Sequence, residues 1–446
     1  MYTAPSPATG AAFVRKRGVR VASGFASAGM LVGISLVAAS PAAAATDADC
    51  IGVTVSSGVG ADIQTLIDGV EPVICLSGTF VLTTTLLYDR NLTIHGLTDA
   101  VLDGNNTVRI LQDEGDNTLT VENLQLTQGY VDGEGGAIYG SEVIVHNSQF
   151  DNNNAILGGA IRAYTVDAYD SLFFDNDAGF LGGAILAEFA SVTRTTLTTN
   201  TASDAGGAIL AYGVVYSDSS TFDGNTAGGA GGAILGANGV DVRNSTFVEN
   251  SSTSDSGYGG AIFTDGGLVT QSTFLDNSAA NGQSLGANNS SVDLRGNIFA
   301  GSGPEAQLAT NGGTIVDLGA NLFTTTQGTE SDLTSVQPTS RFGLTTAGLF
   351  NGATLASNGG PTQTVALHAG SPALSAVPAS PDSMTVDQRG VARPAVSDAG
   401  AYEFANTALL AATGSTPAGW VAGAAALLLA AGAAVLGVTR RTRRAV

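Results

Sequence analysis

The sequence predicts an all-β protein built as a parallel β-helix of about ten to twelve coils. Gly-Gly-Ala-Ile occurs six times, starting at Gly135, Gly158, Gly182, Gly206, Gly231 and Gly259, at intervals of 23, 24, 24, 25 and 28 residues. A bulky apolar residue, followed three positions later by Asn, keeps step: Phe150/Asn153, Phe173/Asn176, Leu197/Asn200, Phe222/Asn225, Phe247/Asn250 and Phe274/Asn277. Two motifs locked to one period indicate stacked, near-identical units. The units are too short for helical hairpins and are rich in Gly, Asn, Thr and Val, which suits strands and turns.

Within each unit the strand positions follow from alternation. Seven residues before the Phe or Leu stand Val143, Val166, Ala190, Val215, Val240 and Gly267; five before stand Val145, Ala168, Val192, Ser217, Val242 and Val269. Residues two apart in a strand share a face, so these form two inward columns, and Asp167, Tyr169, Asp241 and Arg243 point outward. The same spacing extends to Leu119, Val121 and Leu126 on one side, and to Val292, Leu294, Phe299 and then Val316, Leu318, Phe323 on the other, nine coils in one register. Apolar clusters at 81–87, 92–94 and 101–102 add two or three more, with turns at Asp89-Arg90-Asn91 and Asp103-Gly104-Asn105. At about 4.8 Å per coil the rod is roughly 50 to 60 Å long.

The repeated residues have scaffold roles. Paired glycines allow a sharp turn or close approach to the next coil. Asn153, Asn176, Asn200, Asn225, Asn250 and Asn277 tolerate the left-handed region and can hydrogen-bond along a column of amides. The phenylalanines share the inward side and read as core rather than as a sugar platform.

At the N-terminus, residues 1–45 have the form of an export signal: Arg15, Lys16, Arg17 and Arg20, an apolar run over 21–39, then small residues up to Ala45. Residues 46–90 form the N-terminal cap and first coil, 91–330 the repeats, and 331–404 a C-terminal β-helix end or cap. The only cysteines, Cys50 and Cys75, are expected to pair in the oxidising space outside the cell, two buried free thiols being the alternative. Between them, residues 62–67 form a short amphipathic helix suited to covering the open first coil.

Residues 405–419 are a linker carrying Leu410-Ala411-Ala412-Thr413-Gly414, followed by an apolar run over 420–438 and a basic tail over 439–446 with Arg440, Arg441, Arg443 and Arg444. The run is long enough for one membrane helix, and the arginines hold its end on the cytoplasmic side. This order resembles the cell-wall sorting signals of Gram-positive bacteria, with Ala411 where the commoner form has Pro. The resemblance implies a sortase that cleaves after Thr413 and joins it to a peptidoglycan precursor; a retained single-span anchor is the alternative.

All 38 acidic residues lie between leader and sorting signal, whereas 8 of the 17 basic ones lie within those two segments, so the mature part carries a net charge of −29. It repels nucleic acid and anionic lipid. The sole lysine, Lys16, lies in the leader, which excludes Lys isopeptide cross-links in the mature chain.

The Gly-Gly-Ala-Ile and Phe-x-x-Asn pair over about 120–330 resembles the polymorphic outer-membrane-protein repeat, within the pectin-lyase-like right-handed β-helix superfamily. Leu92-Thr93-Ile94-His95-Gly96 and Val101-Leu102-Asp103-Gly104 resemble the opening coils of such proteins. Asn358-Gly359-Gly360-Pro361-Thr362, Gly370-Ser371-Pro372-Ala373, and Asp387-Gln388-Arg389-Gly390 with Ala399-Gly400-Ala401-Tyr402-Glu403 resemble a C-terminal segment found after surface β-helices. Relatives include adhesins, so the resemblance implies a surface rod that binds a glycan or an extracellular protein. The superfamily also contains polysaccharide lyases and hydrolases. The Gly-His-Gly turn of such hydrolases is absent from the sequence, and His95, His146 and His368 are expected at scattered surface or turn positions. A lyase would need acids for Ca²⁺ and a basic residue. The best outward group is Asp218, Asp241 and Arg243, yet Asp293 and Arg295 repeat the Asp-x-Arg pattern two coils on, as cross-strand charge pairing would. Asp132-Gly133-Glu134-Gly135 could take a cation but has the composition of an ordinary turn. The expectation is therefore no catalytic residue, no metal and no cofactor beyond a weak Ca²⁺ option.

Overall fold

The computed structural model describes residues 50, 54–56 and 60–404, apart from 98, 302, 304–305, 326–331 and 381–383. The leader, the sorting motif Leu410–Gly414, the apolar run and the basic tail lie outside the described residues. No helix among those described is long and apolar enough to cross a membrane.

The chain winds into a right-handed-type parallel β-solenoid of about ten turns. Four parallel sheets run along it, here sheets I to IV, with 13, 11, 10 and 5 strands. One coil shows the plan: Glu142–His146 in sheet I, Gln149–Asp151 in sheet II, Asn154–Leu157 in sheet IV and Ile161–Arg162 in sheet III. Register is kept from coil to coil, as in Val143↔Val166, Val145↔Ala168 and Phe150↔Phe173. The apolar members of both predicted columns face inward, as do Ala160 and Ile161 of the Gly-Gly-Ala-Ile motif, and are buried in one continuous core, whereas Gly267 is exposed. Ser217, the one hydroxyl in those columns, is buried with its Oγ 3.0 Å from Ser245 Oγ.

The two glycines divide the work. The first adopts a left-handed φ, +62° at Gly158 and +65° at Gly206. The second lies against the neighbouring coil: a Cβ on Gly207 would stand 2.0 Å from Gly232 O, so no side chain fits.

The Phe column is fully buried and stacked, with centroids 4.6 Å apart for Phe222–Phe247 and 4.8 Å for Phe247–Phe274. The stack continues through Phe299 and Phe323 to Phe342. Beside it the predicted amide column is present: Asn153 Nδ2 donates to Asn176 Oδ1 at 2.9 Å, and the pattern repeats through Asn200, Asn225 and Asn250 to Asn277. Each Nδ2 also donates to a main-chain carbonyl of the preceding coil, Asn200 to Phe173 O at 3.0 Å. These buried amides are thereby satisfied.

Two expectations are corrected. The left-handed residue is the one before each Asn, namely Asn152, Asp175, Thr199, Gly224, Glu249 and Asp276, which frees the Asn side chain to turn inward. In the coil after Leu294 the inward residues are Ile315 and Asp317, not Val316 and Leu318; Leu318 is 44% exposed. An extra corner residue at the positive-φ pair Gly319-Ala320 restores Phe323 to register with Phe299. Asp317 is held by donors from Gly319, Asn321, Gln337 and Ser340.

Both ends of the solenoid are finished. Helix α1 (Gly60–Ile67), two residues longer at its start than expected, buries Ile63 and Ile67 in the core. Gln64 pairs with both the N–H and the C=O of Leu87, on the edge strand of sheet III. Cys50 and Cys75 form a disulfide across 25 residues of sequence. At the other end, helix α2 (Thr346–Leu349) leads into an antiparallel pair, Phe350–Ala356 with Thr364–Leu367. Residues 358–380 and 384–403 then pack back along the side of the solenoid as a strap, tied to it by bonds such as Gln388 Nε2 to Ser220 O and braced internally by Arg389 on Asp387 and by buried Arg393 on Glu403.

Candidate functional site

The outer face of sheet I carries the expected charged group. Asp218 lies directly opposite Arg243, and Asp241 opposite Tyr216, on adjacent strands. Toward the C-terminus the columns run Asp241, Leu268, Asp293 and Arg243, Thr270, Arg295. Since both Asp-x-Arg strands follow the same alternation, these side chains leave the sheet on one side.

Over this face lies a groove of about 980 Å³, whose lining includes Tyr216, Asp241, Arg243, Leu268, Thr270, Asp293, Arg295 and Leu318. Met384 and Thr385 of the strap also line it. Arg243 forms two parallel bonds to Asp241, Nε to Oδ1 and NH2 to Oδ2, both 2.7 Å. The pairing is within one strand, not across strands as expected, because residues two apart on one face are close enough for a fork-to-carboxylate fit. Arg295 instead donates to Pro378 O of the strap at 3.3 Å. Asp218 is not among the groove-lining residues; burial raises its carboxyl above the usual carboxylate range, against the lowering effect of the hydrogen bond from Ser219 Oγ at 2.9 Å.

This arrangement can hold a polyhydroxylated chain: the Tyr216 ring offers a flat face and Leu268 an apolar contact beside the planar donors and acceptors of Arg243 and Asp241. A guanidinium stays protonated and has no lone pair to accept a proton, so Arg243 is suited to orientation rather than to removing a proton. Among the described residues no three His, Cys, Asp or Glu side chains gather as metal ligands. In the turn from Asp132 to Gly135, Glu134 Oε2 lies 3.9 Å from Arg162 Nε, and its carbonyl accepts from Arg109 NH2 at 2.8 Å.

The histidines correct another expectation. His95 is buried, with Nδ1 3.1 Å from Oε2 of buried Glu122. His146 lies opposite Glu122 on the following strand and stacks on Tyr169 at 5.0 Å. His95 and His146 are thus two coils apart rather than scattered, and only His368 stands away from this column.

A second polar column went unread in the sequence. Ser148, Ser171, Thr195, Ser220, Ser245 and Ser272 stand at the corner between sheets I and II, and each accepts from the main-chain N–H of the residue one coil earlier, Ser148 N to Ser171 Oγ at 3.1 Å. They recur two residues before each Phe or Leu, so the period that revealed the Asn column also contains them.

The fold and its ladders define a parallel β-solenoid. Residues 219–237 and 244–265 match the Chlamydia polymorphic membrane protein (Chlamydia_PMP) repeat. No curated protein and no solved structure matches the chain significantly.

Proposed function

We propose that the chain is an exported surface protein, held at the cell wall through Thr413, whose solenoid binds a neutral glycan on the outer face of sheet I and catalyses no reaction. The groove where Tyr216 and Leu268 adjoin the Asp241–Arg243 pair carries this reading. The repeat it resembles is named for membrane proteins, in keeping with display at the cell surface. The leader, the sorting motif and the net charge of −29 over the mature part support an exposed, soluble rod that disfavours acidic polymers. Sortase and the peptidoglycan precursor are the partners in display, and the C-terminal apolar run holds the chain in the membrane before transfer.

A glycan array and a panel of extracellular matrix proteins, probed with the mature chain and with Arg243→Ala, test the reading. A neutral oligosaccharide bound by the mature chain and about tenfold more weakly by the variant supports it, since a bond to a charged group is worth roughly 1.5–3 kcal/mol. Matrix protein binding alone would replace the glycan with a protein ligand. Polysaccharide turnover abolished by Asp241→Asn would make the chain a lyase or hydrolase instead.

A further inference from the structure

A different groove, of about 930 Å³, follows the corner between sheets I and II over the N-terminal coils. Its lining includes a column of left-handed residues, Asp99, Asn123, Asn147, Asp170 and Arg194, and strap residue Pro361. Farther along, the same corner is covered by the strap itself, so the molecule shows how this surface accepts a polypeptide.

In the covered half the strap's contacts go against the coil order from Pro378 to Gln388 and return over the same corner from Arg393, which donates to Asn244 Oδ1 at 3.1 Å, to Gly400, whose N–H donates to Gly296 O at 2.8 Å. Pro378 O accepts from Arg295, Met384 N donates to Gln271 Oε1 at 3.2 Å, Val386 O accepts from Asn244 Nδ2 at 3.0 Å, and Gln388 Nε2 donates to Ser220 O at 3.2 Å. Residues 384, 386 and 388 therefore meet three successive coils. Two residues of extended chain advance roughly 6.6 Å while coils are about 4.8 Å apart, so an inclined strand keeps pace with the coils.

The side chains that read the strap's backbone have counterparts in the open half. Gln271 and Asn244 are left-handed corner residues, with φ of 44° and 46°; Asn147 and Asn123 hold the same corner position with φ of 45° and 54°. Both asparagines are exposed, and Asn147 Nδ2 donates to Asn123 Oδ1 at 2.7 Å. Exchanging that exposed bond for one to a ligand's main chain costs little. Asp170 is neutralised by two bonds from Arg194, at 2.7 and 2.6 Å, which leaves Asp99 as the unbalanced charge among these corner residues.

We propose that the open half of this corner groove binds an extended polypeptide from a partner protein, neutral or basic in charge, laid end to end with the chain's own strap. The amides read its main chain, so recognition depends on extended shape and charge more than on sequence. Five coils give a track of roughly 20 Å, enough for about six extended residues. An acidic partner is disfavoured by Asp99 and by the field of the mature chain.

The test selects from a displayed library of random short peptides on the immobilised mature chain. Affinity is then measured on Asn123→Leu/Asn147→Leu and on Asp241→Asn, whose site lies on the sheet I face. The proposal expects selected peptides to be neutral or basic, to bind the double variant about tenfold more weakly, and to bind Asp241→Asn unchanged. An unchanged thermal transition shows that the double variant is folded; if it is not, Leu172→Arg, at a half-buried groove position, replaces it. Failure to select any peptide, selection of peptides indifferent to the groove variants, or a neutral oligosaccharide as the only ligand that responds to them overturns it. The last result would make the groove a glycan track.

Discussion

At the residue scale, each period contributes one aromatic to a stack and one amide to a ladder, and their effects differ in kind. Phe247 is fully buried between Phe222 and Phe274, so Phe247→Asp places an unpaired carboxylate inside the aromatic stack. That substitution is expected to cost several kcal/mol and to lower the thermal transition sharply or prevent folding. A transition at the wild-type temperature would place Phe247 in solvent and discard the register. Residues such as Val242 and Phe247 were legible because strand alternation and the coil period agree on them. Leu318 was misplaced because one added corner residue flips every side chain between two otherwise aligned landmarks. His95 was misread because alternation places it outward, and its burial comes from tertiary packing that no local pattern records.

At the element scale, the caps and the strap protect what the solenoid would otherwise leave open. Loss of the Cys50–Cys75 disulfide, by Cys50→Ser with Cys75→Ser, should lower stability by about 3 kcal/mol, largely through the freedom regained by the unfolded chain. Denaturant titration of the two forms checks this, and equal midpoints would show that the first coil needs no staple. The strap was legible as a terminal segment but not in its course, because its contacts join residues far apart in sequence, as Gln388 does with Thr221. It also carries a pH response. Burial raises the Glu403 carboxyl from its ordinary 4.5 to about 7, opposed by the hydrogen bond from Asp398 N–H and by the adjacent Arg393. Below pH 4.5 both folded and unfolded chains are protonated there, and the contribution to stability is complete. Between 4.5 and about 7 the folded chain keeps a proton that the unfolded chain has lost, so this contribution falls as pH rises. Burial acts in the same direction on Asp167 and Asp218. The thermal transition should therefore decline from pH 4.5 to 7.5, with a shallower slope in Glu403→Gln; identical slopes would remove Glu403 as the source.

At the scale of the whole molecule, the sequence changes in kind beyond the strap. The repeats are acidic and strand-forming, and all of the C-terminal arginines follow an apolar run that no coil could absorb. A solenoid grows by stacking equal periods, whereas residues 420–438 offer neither the glycine pair nor the Asn corner. Their length and the four arginines after them suit arrest in a membrane, with Leu410-Ala411-Ala412-Thr413-Gly414 just outside it. A sortase thiolate attacking the Thr413 carbonyl would form a thioester, release the segment that begins at Gly414, and then pass the acyl group to an amine of the wall precursor. Thr413→Ala should leave export intact and move the protein from the wall fraction to the membrane fraction. Fractionation followed by C-terminal peptide mass spectrometry measures this directly. Recovery of the wild-type protein from membranes with Arg443 and Arg444 still attached would make the segment a permanent anchor and end the sorting interpretation.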